Sequence, residues 1–300
     1  MMYNEMKALF LKVLTPLHAG SGTDLRAVDL PIQREIHTGF PKIEASTLKG
    51  CLRNAFKKLE KSKIDMIFGK EGEGELSAAA LAITDARLLF FPVRSAKGVY
   101  ALITCPMVLE RFRKDMELAG ISEKEGFTAK LSDVAPIAVC NKDNVLVIQL
   151  NKEKQAVLLD EYRYDLSYNA YNDSFNKLCT KLQAMLPSPN TIADRAIILP
   201  DNDFKDFVTH ATSVVTRIRV GENGVVENQG LFTEEYLPEE SLLYSLAMMG
   251  NSKLKSNPAD AKELMSLFSK DFPKIFQIGA DETLGKGFVE THLQGGGGDE

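Results

Sequence analysis

The chain alternates between short aliphatic blocks and longer segments of helical period. Ala8 to Thr15 is aliphatic apart from Lys12 and stops at Pro16, a pattern that predicts a buried strand. Leu48, Leu52, Ala55, Phe56 and Leu59 recur at helical spacing and predict a helix with one core-facing side, with Ser46 as its N-cap. A long strand is expected over 81–93, with 99–104 as its antiparallel partner after a turn at Ser95–Gly98. A helix follows over 107–119, then a loop-rich stretch to 154 holding one apolar strand, 145–150. A strand at 156–160 precedes a helix within 165–190 that Pro187-Ser-Pro-Asn190 ends, and a short helix is expected over 203–212.

Val214 to Val220 reads as a strand that places Arg217 and Arg219 on one face. Gly221-Glu-Asn-Gly224 is a tight turn, since Asn-Gly accepts positive φ, and Val225 and Val226 start the return arm of a basic hairpin. Pro258 to Lys270 predicts an amphipathic helix. Strands at 275–278 and 288–292 flank a glycine-rich loop, and the tail 295–300 is expected to be disordered. There is no internal repeat, although strand–helix–strand units near both ends fit two related halves.

Three hundred residues suffice for a large core. The net charge of −5 argues against a protein that coats nucleic acid, yet the charge is uneven. Between Gln33 and Lys63 eight Lys or Arg face three Glu, a local charge of +5. On the helix in that window Lys49, Arg53 and Lys57 fall at i, i+4 and i+8, on one stripe. Such a stripe is either a solvated face or a phosphate-binding edge on an acidic body. Four scattered cysteines without a Cys-x-x-Cys pair exclude a zinc ribbon and fit reduced thiols. No membrane span or secretion signal is read, so the expected compartment is cytoplasmic.

The chemistry gathers between His18 and Arg53. His18-Ala-Gly-Ser-Gly22 leaves the first strand, Val28-Asp-Leu-Pro-Ile-Gln-Arg34 and Thr38-Gly-Phe-Pro41 form a polar loop, and Ser46-Thr-Leu-Lys-Gly50 opens the helix. Gly279-Ala-Asp-Glu-Thr-Leu-Gly-Lys-Gly287 is glycine-rich but is not a P-loop: five residues separate Gly279 from Gly285, and Gly287 stands where Ser or Thr should follow Lys286. No nucleophile elbow, His-Glu-x-x-His or Walker motif is present, which disfavours generic hydrolases.

Together with Leu231-Phe-Thr-Glu-Glu-Tyr-Leu-Pro238, these segments resemble the RAMP superfamily, and within it the backbone subunits of type III-B CRISPR effectors, the Cmr complexes. The resemblance covers most of the chain and leaves its middle third as variable insertion. It implies an α+β fold: an RRM-like (ferredoxin-like) palm with an antiparallel sheet, large insertions at about 105–200 and a hairpin thumb at about 214–236, all in one elaborated domain over 1–294. It also implies a metal-dependent endoribonuclease. That enzyme binds a guide CRISPR RNA, stacks with further copies of itself in a helical filament beside other Cmr subunits, and cuts complementary target RNA at regular intervals by attack of a 2′-hydroxyl. A scaffold that binds guide RNA without cutting, and a stand-alone guide-processing ribonuclease of the same superfamily, are the competing readings.

Residue by residue, the resemblance makes Asp29 the first choice for the catalytic group. With an ordinary pKa of about 3.9 it is a poor general base. It would orient the 2′-hydroxyl or ligate a weakly held Mg²⁺ or Mn²⁺ completed by RNA and water. On the residues alone Asp29 could equally stabilise the turn before Pro31. His18 is either an acid at the leaving oxygen or a histidine packed at a strand end. Glu234 and Tyr236 match residues near the cleavage site, with Glu235 leaving the alignment open by one position. Lys49 and Arg53 are expected on guide phosphates, helped by the helix N-terminus. Gln33, Arg34, Arg217, Arg219, Gly285, Lys286 and Gly287 are further RNA-binding candidates; Gln33 and Arg34 could instead brace the loop.

Overall fold

The computed structural model describes residues 3–23, 28–70, 77–121, 137–140, 143–167, 170–186, 192–221, 223–254 and 257–295. The expected stop at Pro187–Asn190 and residues 296–300 of the tail lie outside the described residues. The strands are β1 (Glu5–Val13), β2 (Lys42–Ile43), β3 (Leu81–Ile83), β4 (Ala86–Arg94), β5 (Tyr100–Thr104), β6 (Ala138–Val139), β7 (Ile148–Gln149), β8 (Gln155–Leu159), β9 (Tyr162–Leu166), β10 (Ala196–Ile198), β11 (Ser213–Val220), β12 (Val226–Tyr236), β13 (Leu242–Met249), β14 (Ile275–Gln277) and β15 (Phe288–Gly295). The helices are α1 (Ala45–Ala55), α2 (Lys61–Phe68), α3 (Pro106–Leu118), α4 (Asp173–Met185), α5 (Ile192–Arg195), α6 (Asp201–His210) and α7 (Ala261–Lys270).

The fold is α+β. Its main sheet runs β14-β15-β1-β13-β4-β5-β10-β6, with β2 paired to β4 and β3 to β13. Every pairing is antiparallel except β10 with β5. β1 sits between β13 and β15 and buries six consecutive residues, Ala8 to Val13, so both its faces are covered. That is why it reads as an unbroken aliphatic block. Lys12 is tolerated there because its ammonium meets Glu240 at 3.0 Å. Phe112 of α3 packs against Phe10 and Tyr244, while Phe56, Phe68, Phe268 and Phe272 join α1, α2 and α7 in a second aromatic cluster. Each such ring contributes about 1.5–3 kcal/mol on burial. Two smaller sheets stand apart from the main one, β7-β8-β9 in the middle third and the β11-β12 hairpin.

Four expectations about elements need correction. The strand over 81–93 is two strands, because Thr84 and Asp85 leave the ladder: Thr84 bonds Ser245, and the Asp85 carboxylate accepts the Ala45 amide at the start of α1. Asp85, not Ser46, therefore serves the N-terminus of α1, and Ser46 lies inside the helix. Burial opposes the charge on Asp85, but the Lys42 ammonium and the Ala45 amide outweigh it and hold the carboxyl below its ordinary range. The apolar stretch 145–150 forms only the two-residue β7. The helix expected from Pro258 begins at Ala261, where Asp260 caps it through the Glu263 amide.

Candidate functional site

The spine of the site is the end of β12, from Thr233 to Tyr236. Its neighbours come from three distant parts of the chain. Leu17 bridges to Leu237, and Leu30 bridges to Glu234 through Leu30 N–H to Thr233 C=O and Glu235 N–H to Leu30 C=O. The polar loop is thus stitched to the return arm of the hairpin, while Gly20 bridges Ile32 and closes the loop on itself. The glycine-rich loop arrives last. Ala280 N–H donates to the His18 carbonyl, and Gly279 takes a φ of +89°. A Cβ at Gly279 would lie 2.2 Å from the His18 carbonyl oxygen, so the approach requires glycine.

Alternation along β12 makes two networks, one on each face. On one face Tyr236 Oη lies 2.8 Å from Glu234 Oε2 and 2.7 Å from Asp281 Oδ2. Arg217 Nη1 donates to the same Asp281 oxygen at 2.6 Å, to Glu234 and to Tyr236 Oη. Asp281 first, and then Glu234, holds the Arg217 guanidinium firmly in its charged form. Burial, reinforced by Asp281 and Glu234, pushes the Tyr236 phenol above its ordinary range. Asp281 itself sits low, because Arg217 and Tyr236 outweigh its burial. His18 completes this network. Its Nδ1 donates to the Glu235 carbonyl at 2.7 Å, which leaves Nε2 facing Glu234 Oε1 at 3.6 Å. The ring packs edge-on to Tyr236, 5.8 Å between centroids. His18, Glu234 and Tyr236 are all buried.

On the other face Glu235 is also buried, and its partners fix the loop: Arg34 Nη2, Thr212 Oγ1 and the Ile32 amide all donate to its carboxylate. The two neighbouring glutamates thus have different surroundings. Glu234 faces His18 and Arg217, and Glu235 anchors the loop. Two residues back on the same face, Thr233 meets Asp29. The Thr233 amide and hydroxyl each donate to Asp29 Oδ2 at 2.7 Å, and the Asp29 amide donates back to Thr233 Oγ1 at 3.0 Å. Asp29 is exposed, and the Thr233 amide first, then its hydroxyl, holds the carboxyl below its ordinary range.

Gln33 and Arg34 brace the loop. Gln33 links the Gly20 carbonyl and Thr47 to the Glu44 amide, and Arg34 also donates to the carbonyls of Gly39 and Val208. On α1, Lys49 Nζ donates to the Leu81 carbonyl at 2.9 Å, and Arg53 Nη2 stands 3.8 Å from Asp65 Oδ1. The helix ends at Ala55 and tightens into a 3₁₀ turn over Phe56–Lys58, which carries Lys57 off the stripe of Lys49 and Arg53. The N-terminus of α1 already holds the Asp85 carboxylate, so the extra anion site expected there is taken by the protein's own side chain. Arg219 lies over the Phe232 ring, and Lys286 Nζ is 5.4 Å from the Tyr236 ring centroid. Gly287 is needed for packing, since a Cβ there would meet the Ile278 carbonyl at 2.0 Å; Gly285, at φ +72°, faces open space.

Sequence reasoning missed Thr233, Asp281 and Asp85. The first two lie inside motifs already singled out, and a run of Thr-Glu-Glu-Tyr within a strand is itself a signal of buried polar partners. Among the described residues no group of three or more His, Cys, Asp or Glu could hold a metal ion. Asp29 offers a cation a single carboxylate, which does not amount to a resident metal site.

A model of the RAMP superfamily matches residues 10–290. The chain is 39% identical over 293 residues to the CRISPR system Cmr endoribonuclease Cmr4 of Pyrococcus furiosus, covering 95% of this chain and 94% of that protein. The crystal structure of oligomeric Cmr4 from Pyrococcus furiosus superimposes with a TM-score of 0.69 at 30% identity, over 97% of this chain and 98% of the other. A chain in the cryo-EM structure of a type III-B Cmr-beta complex bound to cognate target RNA shares the fold, with a TM-score of 0.74 at 22% identity over 98% of both chains.

Proposed function

We propose a function from one premise: this chain belongs to the RAMP superfamily and, within it, to the Cmr4 family of CRISPR-system subunits. It is the backbone subunit of a type III-B effector complex and an endoribonuclease that cleaves target RNA within that assembly. Its partners are RNA and other subunits of the complex, and copies of the chain repeat along a guide RNA in a helical filament. No helix among the described residues is long and apolar enough to cross a membrane.

The observation that carries the catalytic reading is Asp29: an exposed carboxylate held by one oxygen on the base of a protruding hairpin. Cleavage requires a ribonucleotide whose 2′-oxygen is in line with the adjacent phosphorus. The 2′-oxygen bonds to phosphorus and gives up its proton to water, the bond to the 5′-oxygen breaks and that oxygen takes a proton from water, and the products are a 2′,3′-cyclic phosphate and a 5′-hydroxyl. A carboxylate with a lowered pKa is a weak base, so Asp29 acts by accepting the 2′-hydroxyl hydrogen bond and aligning the attack. A loosely held Mg²⁺ or Mn²⁺, if it joins Asp29, takes its remaining ligands from RNA and water. His18, Glu234 and Tyr236 pack on the opposite face of β12 and set the hairpin base, with Arg217 as the cation against the carboxylates of Glu234 and Asp281. Lys49 and Arg53 face guide phosphates from α1, with Lys286 on the glycine-rich loop beside the hairpin.

The test is Asp29→Ala in an assembled complex with guide and complementary target. Target binding should persist while cleavage falls by at least 100-fold. Cleavage at the wild-type rate would overturn the assignment of Asp29 as the catalytic carboxylate.

A further inference from the structure

We propose that Thr233 is the positioning residue of the cleavage reaction: it fixes which oxygen of Asp29 faces the RNA. The inference rests on the reading of Asp29 as the catalytic carboxylate.

Three hydrogen bonds join residues 204 positions apart in the chain. A threonine hydroxyl has one proton and two lone pairs. Here the proton goes to Asp29 Oδ2, and a lone pair accepts the Asp29 amide. The Thr233 amide supplies a second proton to the same Oδ2. Asp29 is therefore gripped through its backbone amide and through its carboxylate oxygen Oδ2. A carboxylate on a loop would otherwise rotate and offer either oxygen. Gripping Oδ2 leaves Oδ1 as the acceptor presented outward, and it also holds the group ionised.

The grip has a second property. Thr233 belongs to β12, whose other end is the turn of the hairpin. Asp29 is thus fastened to the hairpin rather than to the sheet beneath it, and Leu30, the next residue, bridges the same strand.

The experiment uses the full chain and the assembled complex with guide and target RNA. Thr233→Val removes the hydroxyl, keeps the shape and leaves the backbone amide; Thr233→Ser keeps the hydroxyl. Single-turnover cleavage at saturating target should fall about 10–100-fold in Thr233→Val, with target affinity and cut positions unchanged, and return in Thr233→Ser. In the isolated full chain, the Asp29 carboxyl followed by carbon NMR should titrate at higher pH in Thr233→Val than in wild type, and return in Thr233→Ser. A purely structural threonine would lower stability without moving that titration. Wild-type cleavage in Thr233→Val beside an inactive Asp29→Ala would overturn the positioning role alone, as would an unmoved Asp29 titration. Wild-type cleavage in Asp29→Ala would overturn the reading of Asp29 itself, whatever the NMR titration shows.

Discussion

Arg217 Nη1 lies 2.6 Å from Asp281 Oδ2, and this contact closes the hairpin base onto the glycine-rich loop. The guanidinium stands against two carboxylates at once, Glu234 buried and Asp281 partly open. Removing it strands a buried charge, a loss of about 3–5 kcal/mol for a fully buried pair. Arg217 is 27% exposed, so solvent offsets part of that. Arg217→Ala should destabilise the chain by about 2 kcal/mol in denaturant unfolding, and Arg217→Lys by less. An unchanged midpoint would mean that the cluster holds nothing together.

Glycines of the loop should differ in a graded way. Gly279→Ala forces a Cβ into the His18 carbonyl oxygen at 2.2 Å, and Gly287→Ala forces one into the Ile278 carbonyl at 2.0 Å. Neither obstacle is a flexible side chain, so each should cost about 2–4 kcal/mol. At Gly285 only the left-handed backbone matters, at φ +72° with nothing within 4 Å, and Gly285→Ala should cost about 1 kcal/mol. Thermal unfolding of the three variants gives the order; equal losses would contradict it.

Asp85 predicts a pH dependence. Its folded pKa is lowered by Lys42 and the Ala45 amide against the opposing effect of burial. Such a group stabilises the fold fully above the unfolded value of about 3.9 and stops doing so as pH falls through the lower folded value. Asp85→Ala should lose about 1–2 kcal/mol at pH 7, the sum of a cap and a half-exposed ion pair. The difference from wild type should shrink towards zero as the pH falls below the ordinary carboxylate range, read from unfolding curves at each pH.

For guide RNA the measurable quantity is the salt slope. Lys49→Met and Arg53→Gln should each reduce the slope of log affinity against log salt by about 0.7, the value for one single-strand phosphate contact. Binding measured from about 50 to about 200 mM salt checks it. A slope equal to wild type in both variants would place the phosphate contacts elsewhere.

Much of this architecture is legible in the chain because its signals are local. The buried β1, the α1 apolar face, the β4–β5 pairing and the Asn223-Gly224 turn each depend on neighbours within a few residues, and Gly224 does take a φ of +74°. The α1 cap was misread because the group that serves it, Asp85, is 40 residues away and competes with a serine of ordinary capping quality. The site divides the same way. Asp29, His18, Glu234 and Tyr236 are singled out by the resemblance, and folding gathers them around β12. Their buried or open state, and which partners meet Glu234 and which meet Glu235, depend on long-range pairing that no spacing encodes. Gln33 and Arg34 show the converse: polar residues in a basic window whose partners turn out to be the protein's own carbonyls, amide and carboxylate.

The two-faced end of β12 sets a rule of parity. Thr233 and Glu235 look to one side, Glu234 and Tyr236 to the other, and a strand repeats its orientation every second residue. Inserting one residue just before Thr233 would set the new residue against Asp29 and the threonine against Arg217, so both faces lose their own partners in a single step. Inserting two would keep the handedness of both sides and lengthen the arm by about 7 Å. Relatives with longer or shorter arms on the tip side of this junction should therefore differ by even numbers of residues.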